Sequence, residues 1–232
     1  MRNIITILLI LTISACSSSR GFDRGELRGR ISEQKVVTED DIRKAIESRP
    51  QLPSPFKLAI YFAPPKSGYR YGSTSSNWVS EDKEKLLEIG PALKSKNIIS
   101  EAIIIGDSIL EGTDNKSIRL AAARAGADAV LIVNGVSATD RYNNVLGATY
   151  FLLITPFFVP GTVIDSLFMV NASMWDVRNQ YLYLSTEAEG AATETRPAFL
   201  AEENRVIKNA KNIAIEAISK ELTVRLTGMS AK

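Results

Sequence analysis

DNKSIRLAAARAGADAVLIVNGVSA, residues 114–138, is the stretch that decides the fold. Asp114 or Asn115 can start a helix, because a short acceptor side chain satisfies the first free amides. Ile118, Leu120, Ala121 and Ala122 supply apolar packing positions, and Gly126 follows as the residue that tolerates a left-handed helix end. Asp128–Ala138 then reads as an apolar, β-branched run, which suits a strand covered on both faces. A helix returning directly into a central strand is an α/β unit.

The pattern extends outward in both directions. Lys57–Ala63 (KLAIYFA) and Ile98–Ile105 read as buried strands. Between them Ser80 is placed to cap a helix with Glu81 and Asp82 in its first turn. Leu86, Leu87, Ile89 and Leu93 form its apolar side, and Gly90-Pro91 interrupts it. Pro64–Asn77 is a polar loop. Further back, Thr38 caps a helix whose Ile42, Ala45 and Ile46 share a face. Towards the C-terminus, Phe168–Val177 and Tyr181–Ala191 alternate as an antiparallel hairpin turned at Asp176–Gln180. Ala198–Leu226 is a long amphipathic helix with the stripe Val206, Ala210, Ile213, Ala214, Ala217 and Leu222, leaving Lys208, Lys211, Glu216 and Lys220 in water. The expected fold is α/β: a mixed sheet of about five strands with a C-terminal antiparallel hairpin, helices packed on it and a long C-terminal helix.

The N-terminus carries a different signal. Met1-Arg2-Asn3, the apolar run Ile4–Ile13 and the small pair Ser14-Ala15 precede Cys16, the only cysteine. A basic start, a short apolar stretch and small residues describe a secretory signal peptide, and the run is too short to span a bilayer as a stable helix. The tetrad Ile13-Ser14-Ala15-Cys16 resembles the bacterial lipobox. That resemblance implies cleavage before Cys16 and acylation of the cysteine with diacylglycerol and palmitate. The organisation is then a signal peptide over 1–15, a lipidated flexible tether over 16–37 and a single α/β domain over 38–232. No helical or strand period is visible in the tether, whose 21 residues after Cys16 would span roughly 25 Å as a coil. Ser17 resembles the outer-membrane sorting pattern, which in a Gram-negative cell implies an outer-membrane anchor facing the periplasm.

Composition narrows the chemistry. Removing residues 1–15 takes away Arg2 alone and leaves 27 Lys+Arg against 26 Asp+Glu, a balance with no electrostatic case for nucleic acid. The chain has no histidine, so Cys/His zinc sites, a Ser-His-Asp triad and a Cys-His pair are out of reach. No P-loop, dinucleotide loop, GxSxG or HExxH occurs. No catalytic set, metal site or cofactor site is expected. The acids near strand ends, Asp107, Asp114, Asp128, Asp140 and Asp165, read better as helix starts, turns or solvated faces than as a hydrolase pair.

Within the domain, residues 142–164 (YNNVLGATYFLLITPFFVPGTVI) carry no charge in a chain where charged residues make up 23%. The insertion 145–164 can cover the sheet, form an interface with a partner or second copy, or enter a bilayer as a hairpin with Pro156–Gly161 at its tip. Phe151, Leu152, Phe157, Phe158 and Val159 are the candidate interface or membrane contacts.

The block Ala121–Val136 (AAARAGADAVLIVNGV) resembles a helix–strand signature of bacterial lipoproteins with the TolB N-terminal-domain fold. CsgG, the curli secretion lipoprotein, and the penicillin-binding-protein activators share this architecture. FFVPG at 157–161, Trp175-Asp176-Val177 and STEAEG at 185–190 resemble the rhombotarget lipoprotein group. The anchor, the tether, the missing catalytic set and the uncharged segment point to a membrane-anchored envelope lipoprotein that binds or assembles with an envelope partner or itself, and not to an enzyme. The alternatives are an oligomeric secretion-pore subunit similar to CsgG and a carboxylate-dependent envelope hydrolase.

Overall fold

The computed structural model describes residues 18–31, 38–64 and 77–229. Five strands form one mixed sheet: β1 (Phe56–Phe62), β2 (Ile99–Ile105), β3 (Ala129–Asn143), β4 (Thr162–Asp176) and β5 (Leu182–Arg196), in the order β2-β1-β3-β4-β5. β1 runs parallel to both β2 and β3, and β3, β4 and β5 form an antiparallel meander. The α/β architecture is the expected one. The hairpin strands are longer than their alternation suggested, 15 residues each, because β4 continues into the uncharged segment.

Helices cover both faces. On one face α3 (Ser80–Leu87), α4 (Ile89–Ser95) and α6 (Glu203–Met229) enclose Leu58, Ile60, Leu131, Val133, Phe168 and Val170. On the other, α5 (Asn115–Arg124) lays Ile118, Ala121 and Ala122 on Ala59, Tyr61, Val130 and Ile132. Successive strand residues thus serve opposite cores, as the two-residue period of a strand requires. Asp114 caps α5 by accepting from the Ser117 amide, and Gly126 closes it at φ +71°. The interruption expected at Gly90-Pro91 falls two residues earlier, at Glu88, which separates α3 from α4; Gly90 and Pro91 lie in the first turn of α4.

Three details of the sequence reading change. Val79, not Ser80, is the cap residue of α3; the buried Asp82 carboxylate accepts from the Val79 amide at 3.0 Å. Lys211 is not in water. It is buried on α6, where its ammonium reaches Asp82 at 2.7 Å and the Asn77 carbonyl at 2.8 Å, with the Trp78 and Phe168 rings each 5.7 Å away. The buried stripe is accordingly rotated to include Ile207, Ile215 and Ile218, while Ile213 faces out. A charge tolerates that site because its partner is buried with it.

The third change concerns the stretch read as a flexible tether. Arg24–Ile31 forms α1, and Leu27 is buried against Leu167 and Met169, with Phe22, Ile31, Val136 and Ala138 around it. Its apolar pair Leu27/Ile31 is too short a signal for a periodicity reading. Docking supplies what propensity lacks. Asp23 accepts from the Glu26 amide, Arg24 pairs with Glu189 and Arg28 with Glu187. Hydrogen bonding by Arg24 holds the Glu189 carboxyl below its usual range. By contrast α2 (Glu39–Glu47), correctly capped by Thr38 in a capping box, buries none of its residues, and Ile42 and Ile46 are exposed. The expected lipidation site Cys16, its neighbour Ser17, most of the polar loop 64–77 and the C-terminal 230–232 lie outside the described residues.

Candidate contact surface

β3 and β4 end together at the pair Asn143↔Thr162, and residues 144–161 form a compact cap over that end of the sheet. Two 3-10 turns, Val145–Leu152 and Thr155–Phe157, take the place of strands or a continuous helix. Pro156 and Pro160 withhold amides that a longer helix would need.

The polar groups of the cap point inward. The Asn144 amide donates to the Gly161 carbonyl at 2.8 Å, and its side chain accepts from Leu146 and Gly147 while donating to the Pro160 carbonyl. The Tyr150 hydroxyl donates to the Val159 carbonyl and accepts from the Gly161 amide. Thr149 and Thr155 hydroxyls donate to the carbonyls of Leu146 and Thr149. Gly147 and Gly161 allow this closure: a Cβ on Gly161 would sit 2.5 Å from the Gly147 nitrogen.

The apolar side chains point outward. Phe158 is 80% exposed, Leu153 83% and Ile154 70%, and Phe151, Leu152 and Phe157 are exposed as well. Val159 is half-buried. The reading of 145–164 as cover for the sheet applies to Thr162, Val163 and Ile164, which belong to the buried part of β4; within 145–158 Gly147 is buried as well, while Val145, Leu146, Phe157, Phe158 and residues 151–154 are exposed. Keeping such side chains in water forgoes on the order of 1.5–3 kcal/mol each relative to full burial. Sequence reasoning missed Phe199 and Leu200, which it assigned to the final helix. They lie on a separate 3-10 turn, both exposed, and Phe199 stacks on Phe157 with ring centres 4.2 Å apart.

A charged collar surrounds the base of the cap. Arg141 pairs with Glu203 and donates to the Ala198 carbonyl, and Arg196 and Arg205 both pair with Glu194. Tyr142 lies on the opposite face of β3 from Arg141, its hydroxyl pKa raised by burial, by a hydrogen bond to Asp165 and by the charge of Asp140.

The acids near strand ends are dispersed into local structure. Asp107 accepts from the Tyr61 hydroxyl, Asp114 caps α5, and Asp128 binds the Lys57 amide and Arg178. Asp165 accepts from Thr193. Asp140 accepts from the Ser19 hydroxyl and the amides of Arg20 and Gly21. Among the described residues no group of three or more Asp, Glu, His or Cys is placed to hold a metal ion. An open depression of about 470 Å³ beside Ser108, Leu110 and Arg124 is bordered by the Arg124–Glu111 ion pair. No helix among the described residues is long and apolar enough to cross a membrane.

No family model matches the chain, and no curated protein matches it. Solved structures do. A minor lipoprotein from Acinetobacter baumannii is 13% identical, covering 77% of this chain and 95% of its own, with a TM-score of 0.39. A neuraminyllactose-binding hemagglutinin homologue from Helicobacter pylori is 13% identical over 80% and 96%, with a TM-score of 0.38. The PelC dodecamer from Paraburkholderia phytofirmans is 14% identical over 73% and 89%, with a TM-score of 0.30. At these identities and scores the likenesses assign no role to this chain.

Proposed function

We propose that this chain is a lipid-anchored envelope protein that works by contact and not by catalysis. Removal of residues 1–15 leaves Cys16 as the acylated first residue, and the α/β domain presents the cap at 145–158, with Phe199 and Leu200, as its contact surface. The observation that carries the reading is the inverted build of the cap. Its backbone and polar side chains satisfy one another inside, and its phenylalanines and leucines face out. A loop that only joined two strands would have no reason to spend 18 residues this way. The lipobox at 13–16 supports the anchor, and Ser17 supports an outer-membrane, periplasm-facing location in a Gram-negative cell. The binding partner is an envelope component or a second copy of the chain.

Two variants test the reading. Cys16→Ser should lose incorporation of labelled palmitate and leave the membrane fraction. Phe151→Asp with Phe158→Asp should keep its melting temperature, because both side chains are exposed, and should lose binding of an apolar dye such as ANS. Palmitate still incorporated by Cys16→Ser would remove the anchor; undiminished dye binding by the double variant would remove the contact surface.

A further inference from the structure

The described chain begins at the same end of the molecule as the apolar cap. Ser19, Arg20 and Gly21 are all bound to Asp140, which lies three residues before the last residue of β3. That separation is about 10 Å along a strand. The direction of the chain is equally defined. Arg24 reaches Glu189, which pairs with Met169, and Arg28 reaches Glu187, which pairs with Asn171. Asp140 pairs with Asp165. Each step along α1 therefore moves further down β4, away from the cap, and the chain traced back from α1 climbs towards it. Cys16 is three residues before Ser19, so it lies at most about 10 Å from it.

We infer that the cap is a second membrane contact, dipping into the leaflet that holds the Cys16 lipid and setting the domain upright on the bilayer. The inference rests on the proposed anchoring at Cys16 and names the occupant of the contact surface as lipid. Acyl chains at Cys16 bring the collar of Arg141 and Arg196 to headgroup height, and the cap beyond it then meets the acyl region. Its build fits that position. No residue from 142 to 164 is charged. Its backbone hydrogen bonds close internally at Asn144, Tyr150 and Gly161, as entry into hydrocarbon demands. Tyr142 lies one residue before the end of β3, at the base of the cap, where an amphipathic ring favours the interface. Two short 3-10 turns cannot span a bilayer, so the contact is interfacial, of the kind that reaches roughly 5–10 Å below the surface.

The chain's only cysteine is the acylated one, so a second cysteine can be labelled alone. The full lipidated protein carrying Ile154→Cys or, as control, Val224→Cys on the exposed side of α6 is labelled with NBD. It is then reconstituted in phosphatidylethanolamine/phosphatidylglycerol liposomes. The expected result is blue-shifted emission at 154 with at least threefold stronger quenching by doxyl-labelled acyl chains than at 224. Adding Phe151→Asp and Phe158→Asp should abolish that quenching while the protein stays on the liposomes through its lipid. If aqueous iodide quenches 154 as well as 224 and doxyl lipids quench neither, the inference is wrong. If 154 is shielded from iodide, untouched by doxyl lipids and crosslinks to 154 of another copy, the occupant is a second copy; the inference falls and the contact surface stands. Loss of the Cys16→Ser chain from the liposomes while the lipidated chain stays bound supports the anchor on which the inference rests; equal retention of the two overturns the anchor.

Discussion

Replacing Lys211 by Met should be among the most damaging single changes in the chain. Lys211 and Asp82 are 5% and 2% exposed and meet at 2.7 Å. Methionine fills much of the lysine volume and keeps the apolar contact with Trp78 and Phe168, so packing changes little. The carboxylate of Asp82 is left without its counter-charge, and breaking a buried pair from one side costs about 3–5 kcal/mol. Asp82→Asn strands the ammonium and should also be costly, although the amide oxygen can still accept from Val79. The double variant removes both charges and leaves the cap acceptor in place. Its cost should fall below the sum of the singles by at least about 2 kcal/mol, a coupling expected of contacting residues. Urea unfolding followed by far-UV circular dichroism and by tryptophan fluorescence measures all four proteins, with coincident transitions as the two-state check. A Lys211→Met cost under about 1 kcal/mol, or singles that simply add, would refute the argument that this pair is electrostatically interdependent.

Four further expectations concern other parts of the fold. Gly190→Ala puts a Cβ 2.2 Å from the Ala210 carbonyl oxygen and 2.6 Å from the Ala214 nitrogen, so α6 must move off β5; a loss of about 1–3 kcal/mol or more is expected in thermal unfolding. Gly29→Ala, where no neighbour lies within 4 Å of the added Cβ, should instead leave stability equal or higher by about 0.5–1 kcal/mol. Above pH ~10, where an unfolded tyrosine ionises, stability should decline. Tyr183 is pushed up to about 12 by burial and by its bond to Asp176, and Tyr61 is raised by burial and by Asp107. Their contribution is complete below the unfolded value and is lost as pH rises towards the folded one. Replacing both by Phe should flatten the alkaline limb of a pH titration of stability. Leu27→Asp should release α1, seen as lost amide-exchange protection over 24–31 with β3 and β4 still protected.

Much of the architecture was legible because its signals are local. Gly126 after the apolar face of α5, the uninterrupted Asp128–Ala138 and the alternation in β4 and β5 each follow from one short window. The misplacements share a different cause. Lys211 is buried because Asp82, 129 residues away, is buried with it, and no window contains both. Leu27 finds its place through Leu167 and Met169 on a strand far along the chain. The uncharged run was visible in composition, but its outward orientation depends on Tyr150, Asn144 and the two glycines closing the backbone among themselves. Phe199 joined the cap only through a stack with Phe157 that no periodicity encodes.

The strand order has a consequence for how the chain folds. β3, β4 and β5 are sequential hairpin neighbours, whereas Lys57 and Asp128, where β1 meets the start of β3, are 71 residues apart. Closing a long loop before any contact rewards it slows pairing, so the meander with α6 is expected to nucleate and β1 and β2 to add later. α1 has no surface to dock on until β3 and β4 exist. Residues 19–21 therefore become fixed against Asp140 only after the meander has formed. Pulse-labelled hydrogen exchange during refolding should show amides of β4 protected before those of 24–31; the reverse order would contradict it.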